Sequence, residues 1–529
     1  MTPVLDILFA ALPIALLVYW MTKKDSMPSN RALPLAALFL YGILLAWFRT
    51  GPVLVHAAVV EGLLTALTPI LIVWGAILLF KSMEATGAME TMRQWLNGIT
   101  SNKVAQLMIV GWAFTFLIEG VSGFGTPAAL AAPLLVGLGF APLPVAVLCL
   151  MMNTVSVSFG AVGMPTWFGL GGLGLDPAEL REVAIKSALM HAGAALVIPL
   201  LALRMVVTGA EIRANLGYIA LVILSTVGVY VAVAAVNTEF PAIAGGIAGL
   251  LAAVSLASRG IGLAAEAEGK NRTKPRPPAG LAMATFPLWG TVLILLATRL
   301  EPLGLKSWLT ADSPALVAAV PRLGELAISS SLVLQWNGIF GTELSWTHAV
   351  LYVPSVLPFF LVSALTFALF RSSRAEVRSA WDDSLQRVLK PIGAFLGALV
   401  LVKLLMAGGE ESAAAVLGRG LAQAAGGAWQ FFAVYLGALG SFFSGSNTVS
   451  NLTFGGIQDA TAAQLGLSRT TILALQSVGG AMGNMVCIHN IVAVSSILGL
   501  QRAEGTILRQ TFPPTLLYGV IAGVISLML

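Results

Sequence analysis

Long apolar runs separated by short polar breaks set the pattern of this chain. The runs fall at 3–20, 32–48, 62–80, 142–175, 184–203, 215–236, 241–258, 281–298, 349–370, 391–406, 468–499 and 512–529. Most approach or exceed the roughly 20 residues that a helix needs to cross the hydrocarbon layer, so they predict an all-α polytopic membrane protein with about 12 transmembrane helices. Two further apolar stretches, 104–139 and 428–465, are interrupted centrally by Gly, Ser, Thr and Asn. Backbone freed by such interruptions must find partners at membrane depth, and each stretch reads as a re-entrant hairpin that enters and leaves on one side.

The same order of parts recurs about 325 residues later. In the first copy, 62–175, a span at 62–80 leads through a polar segment to the hairpin FLIEGVSGFGTPAAL, then to a helix ending in MMNTVSVSFGAVGMP. In the second, 391–499, a span at 391–406 leads to the hairpin SFFSGSNTVSNLTF, then to a helix that breaks at QSVGGAMGNMVCIHN. An odd number of crossings separates the copies, so they are expected to run in opposite directions. Inverted repeats with broken helices at matching positions mark secondary transporters, whose site lies between the repeats near the midplane. The chain accordingly divides into a first half, 1–258, a basic and Pro-rich cytoplasmic linker, 259–279, and a second half, 280–529. The segment 300–346, with mixed charge and Trp308 and Trp336, is left without an assigned structure.

Composition agrees with lipid as the solvent. Of 529 residues 57% are hydrophobic and only 10% charged, against roughly 25% charged in soluble domains, and the mean hydropathy is +0.90. The first run lacks a basic leader and a small-residue cleavage site, and is expected to be a retained span. If the N-terminus faces outward, most of the 29 basic residues, among them Lys23, Lys24, Arg93, Arg213, Arg272, Arg378 and Arg509, fall in cytoplasmic loops, as orientation by positive charge requires. Both termini then face outward. Converting either hairpin into a full crossing would reverse every later loop and spoil this agreement. The net charge of +5 is thus topological rather than a nucleic-acid footprint. Cys149 and Cys487 sit within apolar runs and offer neither a disulfide framework nor a metal cluster; no cofactor or metal is implied.

Candidate chemistry gathers at the breaks. Half-helix N-termini present N–H donors and partial positive charge suited to a carboxylate. Gly120, Gly123 and Gly125 would let a ligand approach backbone, while Ser122, Thr126, Asn153, Thr154, Ser446, Asn447, Thr448 and Asn484 can hydrogen-bond a carboxylate or hydroxyl. These small residues also suit close helix packing, but four clusters in two matched pairs favour a binding site. Glu119 is the candidate proton carrier, because a carboxyl at membrane depth is costly unless protonated, paired or hydrated. His489, after the second break, is a second candidate for proton coupling. His191, Glu84, Lys403 and Asp459 are expected nearer helix ends, able to snorkel or pair. A different class, an intramembrane serine protease, is suggested by the GxSG pattern Gly120-Val121-Ser122-Gly123 with His191 as base, yet it would not require the second hairpin. No HExxH motif or phosphate loop supports other catalysis.

The runs FLIEGVSGFGTPAALAAPLLVGLGFAPLPVAVLCLMMNTVSVSFGAVGMP (116–165) and GALGSFFSGSNTVSN (437–451) resemble the lactate permease family of bacterial L-lactate and glycolate transporters. The resemblance implies a proton-coupled symporter of small 2-hydroxymonocarboxylates, L-lactate, D-lactate and glycolate, in the bacterial cytoplasmic (inner) membrane, with a homodimer allowed. Ser446, Asn447 and Thr448 also match the Ser-Asn-Thr hairpin tips of the wider elevator-type anion transporters, in which sodium coupling is the alternative. This chain departs from enteric family members, which carry an acidic residue in place of Asn447 and a lysine in place of Asn484. The acidic and basic groups are exchanged together for neutral amides, and Glu119 is retained.

Overall fold

The structure is a computed structural model that describes residues 3–22, 27–123, 126–264, 280–299, 303–353, 356–500 and 503–529. It is mostly helical, and its chain forms two units: Met1–Thr91 with Gly280–Gly420, and Met92–Ala279 with Leu421–Leu529.

In the first unit the longest element is the helix Arg374–Met406. Ser373 caps it reciprocally, its hydroxyl accepting from Glu376 N at 3.3 Å while the Glu376 carboxylate accepts from Ser373 N at 2.7 Å. A polar first half then gives way to an apolar second half, and the axis bends by 40° between Leu389 and Ile392, where Pro391 lacks the N–H of the helical ladder. Gly397 meets the backbone at Pro34 so closely that a Cβ would collide, which lets this helix pack tightly on Ser29–Ala46. Lys403 pairs with Glu61 of the helix Pro52–Thr65 at 2.5 Å, and Lys81 pairs with Glu84 at 2.6 Å.

The all-α expectation fails between residues 315 and 349. Four strands, β1 (Ala315–Val320), β2 (Gly324–Ser329), β3 (Val333–Asn337) and β4 (Trp346–Ala349), form an antiparallel meander. Its strands are short and β1 is exposed along most of its length, so the one-sided apolar alternation that betrays a half-buried strand is missing from the sequence. His348 on β4 anchors the sheet through a buried bond of 2.9 Å between Nδ1 and the Thr68 hydroxyl.

The second unit contains the interruptions. Winding of the wider π type over Leu107–Phe114 leads into the helix Thr115–Ser122, which stops at Gly123; the next described helix is Thr126–Gly137. Pro142–Met152 passes through a tight 3-10 turn, Thr154–Phe159, into Gly160–Trp167. The helices Trp429–Ser444 and Asn447–Leu465 form the second interrupted pair, followed by Arg469–Gly483, a 3-10 turn at Asn484–Val486, and Ile488–Ile497. By length and hydropathy alone, six described helices could cross a bilayer, up to seven if the bent pair at 374–406 counts as one. Shorter apolar helices lie at Val4–Leu17, Asn30–Ala46, Phe286–Leu295 and Val356–Leu369.

One break is strained. Ala161, Val162 and Gly163 have φ of +45°, +61° and +71°, a left-handed turn that costs non-glycine residues on the order of 1 kcal/mol or more. Ala161→Gly should therefore leave the melting temperature of purified protein unchanged or raise it. Ala188→Gly, equally buried but mid-helix in Pro177–Ala195, should lose the roughly 1 kcal/mol that glycine costs a helix. A larger fall in Tm for the Ala161 variant would refute the strain explanation.

Candidate functional site

Elements of the second unit line a small, partly open cavity of about 20 Å³, room for about one water molecule. Its walls come from all four interruptions: Glu119 and Gly123 from the first interrupted pair, Val157, Gly160, Ala161 and Pro165 from the first broken helix, Gly445 to Thr448 from the second interrupted pair, and Asn484 from the second broken helix.

Local chemistry explains each wall. Helix Thr115–Ser122 stops at Gly123, whose φ of +61° only glycine adopts without strain, and whose N–H donates to the Glu119 carbonyl at 3.0 Å. This places the Glu119 side chain beside the break. Glu119 is 2% exposed; its carboxyl accepts from Asn153 Nδ2 at 3.0 Å and lies against Gly160, where a Cβ would strike Oε1. Opposite, Gly445 turns through φ +71° and Ser446 N-caps Asn447–Leu465, its hydroxyl accepting from Val449 N at 3.3 Å. The next N–H groups of that helix, at Asn447 and Thr448, have no acceptor within the first turn by helix geometry, so the cavity borders a positive helix end.

Asn447 is 2% exposed; its Nδ2 donates to the Ser477 carbonyl at 3.1 Å, and its Oδ1 lacks a protein partner. The Asn153 Oδ1 is unpartnered in the same way. Buried amide oxygens left unsatisfied are costly, and here they lie in or behind the cavity wall. A buried polar chain ties the helices Trp429–Ser444, Asn447–Leu465 and Arg469–Gly483 together: Trp429 Nε1 donates to Gln458 Oε1 at 2.9 Å, Gln458 Nε2 to Gln476 Oε1 at 3.0 Å, and Gln476 Nε2 to Ser450 Oγ at 3.0 Å.

Among the residues singled out in the sequence, Glu119, Gly123, Ser446, Asn447, Thr448 and Asn484 come together around this cavity. Asn153 stands behind Glu119. Gly120 instead faces the backbone at Ala242 and Ile243, where a Cβ would collide, so its smallness serves helix packing. The Thr154 hydroxyl is turned back onto the Leu150 carbonyl at 3.2 Å. Gly125 lies outside the described residues, as do the side chains of Ser122, Thr126 and His489.

His191 is the clearest departure from expectation. It lies about one turn from the end of Pro177–Ala195 but, rather than reaching the surface, is fully buried, with Nδ1 2.5 Å from the Tyr518 hydroxyl and Nε2 2.8 Å from the Ser158 hydroxyl. Both ring nitrogens are thus engaged away from the GxSG segment. Asp459 does pair, with Arg469 at 2.6 Å. Sequence reasoning also passed over Asn490, whose Nδ2 donates to the Asn484 side chain at 2.5 Å; its place one residue beyond His489 was the available signal.

The description "L-lactate permease" belongs to the family model that matches residues 6–529. A Haemophilus influenzae protein, provisionally named an L-lactate permease, is 46% identical over 99% of this chain and 98% of its own length. The L-lactate permease of Escherichia coli K12 is 26% identical over 99% of this chain and 95% of its own, and the glycolate permease of the same strain is 27% identical over 89% and 86%. The crystal structure of the YdaH transporter from Alcanivorax borkumensis aligns over 99% of this chain and 97% of its own with 16% identity and a TM-score of 0.41, too slight a likeness to carry topology. A match along nearly the whole chain, joined to its succession of apolar helices, makes this a multi-pass membrane protein that belongs to the L-lactate permease family.

Proposed function

We propose that the chain is a secondary active transporter that carries L-lactate and related small 2-hydroxymonocarboxylates, D-lactate and glycolate, together with a proton across the bacterial inner membrane. The observation that carries this reading is the cavity walled by four interrupted elements, with neutral hydroxyl and amide donors and a helix N-terminus on one side and one carboxyl, Glu119, on the other. The names of the relatives supply the substrate class and point to a carrier rather than an enzyme. In this reading Ser446, Asn447, Thr448 and Asn484 receive the substrate carboxylate and hydroxyl, Gly123 lets it approach backbone, and Glu119 holds the proton.

The proposal extends to topology: about 12 crossings and two re-entrant hairpins in inverted repeats at 62–175 and 391–499, with both termini outward. The division into units supports the repeat. It cuts the first copy between residues 91 and 92 and the second between 420 and 421, which is the equivalent place in each. Transport would proceed by alternating access, the hairpins and broken helices moving with the bound solute.

Purified protein in proteoliposomes should take up labelled L-lactate when an inward proton gradient is imposed in sodium-free buffer. Unlabelled glycolate should compete, and succinate should not, because the described residues of the cavity walls offer no cation for a second carboxylate. A strict sodium requirement would overturn the proton assignment, and competition by succinate alone would overturn the substrate class.

A further inference from the structure

We propose that His191 is a positioning residue of the transport site, acting through Ser158 and Ser477 on the Asn447 amide. This inference rests on the proposed carriage of hydroxy acids at the cavity.

The argument is one of proton direction along a buried chain. Tyr518, His191, Ser158 and Ser477 are each fully buried. Tyr518 comes from the helix Glu504–Ser526, His191 from Pro177–Ala195, Ser158 from the 3-10 turn of the first broken helix, and Ser477 from the second broken helix. The Ser477 carbonyl can only accept, and it receives the Ser158 hydroxyl at 3.1 Å and Asn447 Nδ2 at 3.1 Å. The Ser477 hydroxyl in turn donates to Ser158 Oγ at 3.0 Å. With its own proton committed to the carbonyl, Ser158 must accept from His191, so Nε2 carries the imidazole proton and Nδ1 accepts from Tyr518. One tautomer satisfies every bond.

Two consequences follow from that polarity. The bonds through Ser158 join the first broken helix to the second at the carbonyl that also holds the cavity-lining Asn447, so the imidazole fixes the placement of an amide it does not touch. His191 also has no spare nitrogen, so its contribution is direction and length rather than exchange of protons. Loss of the Nε2 donor would leave Ser158 free to turn from the carbonyl, loosening one of the two donors that hold Ser477 against Asn447.

Glutamine and asparagine separate the two ends of the ring. Glutamine can place an amide N–H near the position of Nε2 and keep the donor to Ser158; asparagine reaches only the position of Nδ1 and keeps the Tyr518 end. For lactate uptake into proteoliposomes, His191→Gln should hold KM within about threefold of wild type. His191→Asn should raise KM about tenfold or more, the loss expected for one buried hydrogen bond, while Vmax per folded transporter stays within about twofold. Tyr518→Phe, which spares Nε2, should behave like the glutamine variant. In detergent, hydrogen exchange of peptides covering 154–166 and 477–484 should quicken in the asparagine variant alone. Equal KM in the two His191 variants, or a Tyr518→Phe effect as large as that of asparagine, would overturn the inference. Wild-type vesicles that take up neither lactate nor glycolate would instead sink the transport reading, and the exchange experiment would still decide whether His191 organises the two broken helices.

Discussion

Replacing Glu119 with Gln is expected to cut proton-driven net lactate uptake by about 100-fold or more, the lower end of what an essential proton-transfer group contributes, while lactate–lactate exchange persists. The substitution keeps the size of the side chain, and a glutamine oxygen can still accept from Asn153, which now holds the carboxylate at 3.0 Å. The fold around Gly160, which leaves no room for extra volume beside Oε1, should therefore survive. What the amide cannot do is alternate between protonated and ionised forms. Net uptake needs that alternation at the two faces of the membrane, whereas exchange of one anion for another needs only a binding site that moves. Vesicles loaded with unlabelled lactate separate the two measurements. Undiminished net uptake would remove Glu119 from coupling, and loss of exchange as well as uptake would assign it to binding or folding instead.

A second large effect is expected at the opposite wall. Asn447→Asp should weaken lactate binding by on the order of 100-fold or more, since a like charge placed beside the substrate carboxylate costs several kcal/mol. The residue is 2% exposed, and no cationic side chain lines the cavity among the described residues. Adding Asn484→Lys should restore much of the loss, because both positions border the same cavity and a lysine there would supply a positive charge to balance the new carboxylate. The two single variants and the double variant form a thermodynamic cycle, and a coupling of 0.5–3 kcal/mol is typical of residues that interact. Additive single effects would mean that the two amides do not share one charge balance. A double variant worse than Asn447→Asp alone would argue that the amides are an independent adaptation of this chain.

Much of the site was legible because its chemistry is written in short, unusual strings. EGVSGFG and SGSNT interrupt apolar runs, and lipid makes an interruption expensive unless something fills it; Glu119, Gly123, Ser446, Asn447, Thr448 and Asn484 were found that way. Gly120 and Thr154 belong to the same strings but serve packing and a local backbone bond, a distinction that depends on which way each residue faces. His191 and Tyr518 could not be joined from sequence, because their bond spans 327 positions and neither sits in a break. The meander at 315–349 escaped for a different reason, as its strands are short and β1 is exposed along most of its length, which leaves no periodic signature.

The cavity wall has a consequence for energetics. Among the described residues that line it, Glu119 is the sole ionisable group. In the proposed cycle, the empty carrier with Glu119 ionised and the loaded carrier with Glu119 protonated and one lactate bound therefore hold the same charge at this site, minus one. Each elementary charge moved through 100 mV is worth about 2.3 kcal/mol, but here nothing distinguishes the outward from the return stroke. If the proposed coupling of one proton to one lactate holds, the membrane voltage does no net work over a cycle, and accumulation is bounded by the pH difference alone, at tenfold for each unit.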